Sequence, residues 1–166
     1  RISLRDYQRE LAARLQGAAG RRAASKLGLQ VGTETWLVDL MEAGEVVPVP
    51  PITPVPLARP WFRGVANIRG NLYGVVDFAV FLGGPAAVAS EQARLLLLGE
   101  RFRMGCALLV DRSLGLRNPE QLRALAPAAS RVPWVRAEYD DKEGMRWKEL
   151  NVAQLVQQPE FLAAGA

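Results

Sequence analysis

From about Leu27 onward the chain is a series of short apolar runs, each of strand length and each closed by Gly, Pro or Asp. Leu72 to Phe78 reads as a mostly buried strand, and Arg94 to Leu98 and Phe102 to Val110 read as two more. Gly99-Glu100 separates the latter pair and suits a tight II′ turn, because Gly accepts positive φ at the first central position. Trp36, Val38 and Leu40 alternate with Leu37, Asp39 and Met41, a strand pattern in which both faces are rather apolar. Trp134 to Tyr139 and Met145 to Leu150 form a further hairpin across the polar Asp140 to Gly144. Helical spacing belongs to the ends. In Ser3 to Gln16, Leu4, Tyr7, Leu11 and Leu15 make one stripe, with Arg5, Arg9 and Arg14 on other faces and Gly17 to Gly20 as the stop. Asn118-Pro119-Glu120 starts a short helix that fades before Pro127, and Asn151 caps a last helix, Val152 to Gln158, stopped by Pro159. Many short strands with Gly/Pro turns and brief helices predict an all-β barrel architecture.

Pro48 to Pro60 carries six of the eleven prolines. Proline fixes φ and has no N–H, so this stretch is neither a helix nor a central strand. It reads as a stiff surface connection, with a Pro-rich ligand for a partner's aromatic groove as the sharper alternative. Leu37-Val38-Asp39, Val75-Val76-Asp77 and Leu109-Val110-Asp111 each end an apolar strand in Asp. No other ligand type accompanies them, so they read as acceptors for turn N–H groups, not as a carboxylate cluster.

Composition narrows the function. The 166 residues are 49% apolar, enough for one large domain or two small packed ones. The formal net charge of +4 is unevenly placed. Residues 1–26 hold seven Lys/Arg against two acids, net +5, and the remainder holds 14 against 15, net −1. A neutral body disfavours nucleic acid as a partner, which asks for a basic face with interleaved aromatics. The basic end reads as a solvated helix face or as a contact for an acidic surface or anionic lipid. No apolar run approaches the roughly 18 residues of a transmembrane span. The chain contains no His and one Cys, which removes the commonest general base, a phosphoacceptor His and any Cys/His metal cluster. The lone Cys106 fits a reducing compartment. Glu138, Asp140, Asp141 and Glu143 read as an exposed hairpin tip. Nothing points to a catalytic residue, a metal or a cofactor.

The stretch Gly64 to Phe78, GVANIRGNLYGVVDF, resembles the signature of the CheW family, the coupling adaptors of bacterial chemosensory arrays. Ile52 to Gly64 and Cys106 to Leu116 are similar to two further segments of that family in matching order, so the resemblance covers about Leu27 to Val156. Gly74 stands where the family usually has Pro, and Asn151 where it usually has Asp. The resemblance implies two small SH3-like five-stranded β-barrels sharing a hydrophobic seam, residues about 30–82 and about 92–156 of a domain over 25–158, preceded by the helix within 1–20. It implies a cytoplasmic, non-enzymatic scaffold between the cytoplasmic tip of a methyl-accepting chemoreceptor and the CheW-like regulatory domain of a CheA-type histidine kinase. By motif position Arg69 resembles the family Arg needed for receptor coupling. Gly64, Asn67 and Gly70 shape its turn, and Leu40, Ala43 and Val46 match the receptor groove. From the residues alone, Arg69 reads equally as a loop brace, and Leu40, Ala43 and Val46 as core. The Arg-rich N-terminal helix resembles the PilI kind of adaptor, which serves type IV pilus twitching motility. A small-barrel nucleic-acid-binding protein, and the regulatory domain of a kinase as a fragment, remain as alternatives.

Overall fold

The computed structural model describes residues 4–9, 25–87, 90–98, 105–127 and 132–162. Among these described residues eleven strands are arranged in two sheets. The chain enters one sheet with β1 (Lys26–Val31) and β2 (Glu34–Asp39). It then builds the other from β3 (Ala43–Pro48), β4 (Phe62–Ile68), β5 (Asn71–Asp77), β6 (Arg94–Leu98) and β7 (Cys106–Val110). It returns to the first with β8 (Arg112–Arg117), β9 (Leu122–Ala124), β10 (Val135–Asp141) and β11 (Arg146–Leu150). The orders are β8-β1-β2-β11-β10-β9 and β3-β6-β7-β5-β4.

The all-β architecture of two small SH3-like barrels is therefore present, but the division of the chain is different. The boundaries about 30–82 and about 92–156 do not coincide with the sheets, because β1 and β2 pair with the C-terminal strands and β6 and β7 with the middle ones. The reason lies in β2. Trp36, Leu37 and Val38 are 1%, 0% and 0% exposed, so this strand is apolar on both faces and needs a neighbour on each edge. β1 supplies one by a hairpin, and β11 supplies the other in parallel, which requires a long crossover. The entire second sheet lies within that crossover, followed by β8, β9 and β10 of the first.

Alternation along β6 and β7 explains how the sheets join. Leu95, Leu97, Ala107 and Leu109 point into a core formed with Ala66, Ile68 and Val75. Leu96, Leu98, Leu108 and Val110 point the other way, into a core shared with Leu29, Trp36, Val38 and Leu150 of the first sheet and with Leu155 of the helix after it. Each such leucine, fully buried, contributes about 1.5–3 kcal/mol. Phe78 extends the seam edge-to-face against Trp36, with ring centroids 5.1 Å apart.

Several local expectations shift. β5 starts at Asn71 and Leu72 is 68% exposed, so the run is buried only in its second half. Phe78 leaves it to open a one-turn helix, Phe78–Phe81, capped by Asp77. Asn118 does cap a turn, but this is a 3-10 turn of three residues, Pro119–Gln121, and the chain then pairs as β9 against β10. Ladder hydrogen bonds at an open edge outweigh local helix signals there. The helix after Asn151 ends at Leu155, and Pro159 begins a second short helix, Pro159–Leu162, where its missing N–H costs nothing. Residues 4–9 are helical with every side chain exposed. The rest of the expected Ser3 to Gln16 helix, the Gly99-Glu100 turn and the Phe102 end of β7 lie outside the described residues.

Asp39, Asp77 and Asp111 each accept backbone N–H groups, from Met41 at 2.8 Å, from Ala87 at 2.9 Å and from Gly32 at 2.5 Å. Among the described residues no group of three or more His, Cys, Asp or Glu could hold a metal ion. No described helix is long and apolar enough to cross a membrane.

Candidate partner-binding site

β4 and β5 are joined by a two-residue turn, Arg69-Gly70, with φ of 52° and 87°. Positive φ at both central residues is the type I′ geometry that matches the twist of a hairpin. Asn67 Oδ1 accepts the Gly70 N–H at 2.9 Å and holds the turn from within. Glycine takes such a φ without strain, but arginine does not, since its Cβ crowds the backbone there. An arginine in the left-handed region is uncommon, and the bonds of the turn have to hold it there.

The Arg69 guanidinium is paired with the Glu45 carboxylate. Glu45 lies on β3, at one edge of the five-stranded sheet, and Arg69 follows β4, at the other edge. The pair thus links the two open edges of one barrel. Both side chains are well exposed, 66% for Arg69 and 46% for Glu45. The hydrogen bond from Arg69 holds the Glu45 carboxyl below its usual range, and Glu45 raises Arg69 in turn. The bracing role therefore has a definite partner, a carboxylate 24 residues away in sequence.

Gly64 is a backbone residue in the strict sense. Its φ is 132°, and a Cβ there would lie 2.0 Å from the Thr53 carbonyl oxygen. That approach lets Thr53 and Val65 exchange hydrogen bonds of 2.8 and 2.9 Å, which ties the Pro-rich connection to β4. Val49 and Ile52 of the same connection pack on the core beneath. Leu57 stands at its tip, 98% exposed with φ 62°.

Leu40, Ala43 and Val46 occupy the rim of the shared core, partly buried. A spacing of three is not that of a strand face, but a β-bulge between Ala43 and Glu45 reconciles it. Ala43 stands opposite Leu98 and Val46 opposite Leu96, both of the seam face, whereas Glu45 stands opposite Leu97. The sequence-predicted residues thus form two groups on opposite faces of β3. Arg69, Asn67 and Gly70 gather at the hairpin tip with Gly64 farther back along β4, while Leu40, Ala43 and Val46 line the seam. Glu45 connects the first group to the strand that carries the second.

Sequence reasoning missed Glu45 and a buried ionic group. Glu42 and Glu149 are 3% and 2% exposed. Arg136 bridges them, to Glu42 Oε1 and, at 3.1 Å, to Glu149 Oε2. Lys26 Nζ lies 3.2 Å from Glu149 Oε1, and Tyr139 donates to the same oxygen at 2.9 Å. Burial, reinforced by that bond to Glu149, pushes the Tyr139 phenol up to about 12. Burial likewise pushes the Cys106 thiol up to about 12, which suits a packing residue and not a nucleophile. No local signal announces the group, because Arg136 and Glu42 are 94 residues apart.

Comparison with known proteins agrees with this geometry. The CheW-like domain matches residues 26–160. The chain is similar to Protein PilI of Pseudomonas aeruginosa, 32% identical over 94 residues that cover 57% of this chain and 52% of that protein. It is similar to the Chemotaxis protein CheW of Rhizobium meliloti, 32% identical over 51% of this chain and 54% of the relative. It thus spans about half the length of the curated relatives it matches. The scaffolding protein TtCheW of Thermoanaerobacter tengcongensis has the same fold, with a TM-score of 0.64 at 17% identity over 78% of this chain and 89% of that one. With the two-sheet fold, the I′ hairpin and the domain match over most of its length, the chain belongs to the CheW-like domain family.

Proposed function

We propose that this protein is a non-enzymatic, cytoplasmic scaffold that couples a methyl-accepting chemoreceptor to a CheA-type histidine kinase. The observation that carries the reading is the CheW-like domain match over residues 26–160. The likeness to PilI supports an output in type IV pilus twitching motility, with flagellar motility as the other output of such systems. In this reading the receptor's cytoplasmic tip straddles the edge strand β3, meeting the Leu40, Ala43 and Val46 rim on one face and Arg69, beside Glu45, on the other. The CheW-like regulatory domain of the kinase docks on exposed apolar edges elsewhere. No bond is made or broken on the scaffold. Its contribution is register: binding energy from both partners holds them in one geometry, so that a bias in one shifts the other.

Arg69 is well suited to a docking contact, because its guanidinium already sits in water and its bond to Glu45 is exchangeable. An exposed ion pair adds little to stability, so exchanging Glu45 for a partner's carboxylate disturbs the fold little. The test is binding of purified wild type and Arg69→Ala to a soluble receptor-tip fragment and to the kinase regulatory domain. Wild type binds both, and Arg69→Ala loses the tip by about tenfold or more while keeping the kinase domain. Wild type binding neither partner would refute the scaffold reading.

A further inference from the structure

We infer that Glu42 is a positioning residue: its buried carboxylate pins the crossover between the two barrels and thereby sets where the Leu40 to Val46 edge stands. The functional half of this inference rests on the reading of that edge as the receptor-facing surface.

β2 ends at Asp39 in the six-stranded sheet and β3 begins at Ala43 in the five-stranded sheet. Leu40, Met41 and Glu42 are all that lies between, so the crossover has little slack. Asp39 tightens it further. Its carbonyl accepts the Glu42 N–H at 2.9 Å and its carboxylate accepts the Met41 N–H at 2.8 Å. Glu42 then turns inward. Its Oε1 accepts from Arg136, and its Oε2 accepts the Val152 N–H at 2.9 Å, at the start of the short helix Val152–Leu155. Arg136 in turn bonds Glu149, which also takes Lys26 and Tyr139. All four carboxylate oxygens thus have partners.

Those partners come from β1, from β10 and from the first residue of the helix that follows β11, all on the side of the six-stranded sheet. What they hold is the residue that immediately precedes the edge strand of the other sheet. A buried charge cannot slide away from its partners without a large penalty, so the position of Glu42 is fixed by directional bonds. Leu40 and Ala43 lie two residues before and one after it, and their height at the seam follows. A buried ion group is seldom the most stable filling of such a site, since apolar residues of similar volume often do as well or better. What it adds over an apolar filling is a defined position.

The test compares Glu42→Gln with Glu149→Gln by residue-resolved amide hydrogen exchange and by affinity for the soluble receptor-tip fragment. Gln at 42 keeps one acceptor oxygen and turns an NH2 group toward the remaining donor, so Arg136 or the Val152 N–H loses its partner. Exchange at residues 40–46 and at Val152 should rise about tenfold or more, with β6 and β7 still protected, and tip affinity should fall about tenfold. Glu149→Gln leaves the Glu42–Val152 bond in place. It should lower the melting temperature at least as much, yet keep tip affinity within about twofold of wild type. Uniformly faster exchange in Glu42→Gln, or tip affinity that follows melting temperature equally in both variants, would reduce the node to a stability element and overturn the inference. If wild type binds no tip, the scaffold reading fails, and the exchange pattern alone decides the pin. If Glu42→Gln does not fold, Glu42→Asp serves, because the shorter carboxylate keeps its charge but cannot reach both donors.

Discussion

The protein has two ionic sites of opposite character. One is the node of Glu42, Arg136, Glu149 and Lys26, with both carboxylates buried and every oxygen satisfied. The other is the Arg69–Glu45 pair, in water at the open edges of the second barrel. The chemistry is the same, guanidinium to carboxylate, but the setting reverses its meaning. In the node, desolvation makes each bond obligatory, and losing one member strands the others. In the exposed pair, water replaces either partner readily, so the pair contributes little to the fold and is available for exchange. The node maintains geometry, and the exposed pair offers a contact.

The strongest way to break this contrast is Arg136→Ala, which leaves two buried carboxylates without their shared cation. It should cost about 2–4 kcal/mol in chemical denaturation, below the value for a wholly buried pair because the guanidinium is 37% exposed. A cost near zero would mean that water enters the node. Gly64→Ala comes next. The new methyl would meet a backbone oxygen at 2.0 Å and take a φ of 132°, for a loss of about 1–3 kcal/mol. This would show that the exposed site depends on its backbone and not on its ion pair.

The two regions should also respond to opposite ends of the pH scale. Tyr139 has a folded value raised to about 12 from 10.0, by burial first and by its bond to Glu149 second. Its contribution is fully present below pH 10 and is lost as pH rises toward about 12, which spectrophotometric titration of the phenolate would follow. Glu45 is held below its ordinary 4.5 by the Arg69 hydrogen bond. Its contribution is present above that ordinary value and is lost as pH falls through the lower folded one. Carboxyl NMR titration in wild type and Arg69→Ala checks this, and the midpoint should rise in the variant. The smallest effect belongs to the N-terminus. Deleting residues 1–20 should leave the melting curve unchanged, since every side chain of residues 4–9 is exposed. A lower melting temperature would show that the helix packs on the barrels.

Much of the fold was legible in the residues. The apolar runs of β6 and β7, the two-faced apolar β2 and the Asn-Ile-Arg-Gly turn all follow from local pattern. The Asp residues ending β2 and β5 and following β7 do accept backbone N–H groups, Asp39 within its own turn, Asp77 from Ala87 and Asp111 from the distant Gly32. Less was legible at the site. Arg69 and Gly70 were visible because positive φ and a turn leave a local mark. The separation of Arg69 from Leu40, Ala43 and Val46 was not visible, because it depends on a bulge whose position is set by pairing with β6.

What the sequence determined by itself was periodicity, punctuation and the absence of His and of a second Cys. Those properties depend on neighbouring residues and on composition, and together they specify short strands, tight turns and a body without the usual catalytic groups. The tertiary structure decided which strands meet, and with them every contact across a long span of chain. β2 pairs with β11, Arg69 meets Glu45, and Glu42 finds Arg136. These partners are chosen by burial on both faces and by the cost of leaving a charge unpaired. Both are properties of the assembled core, and no window of the sequence contains them.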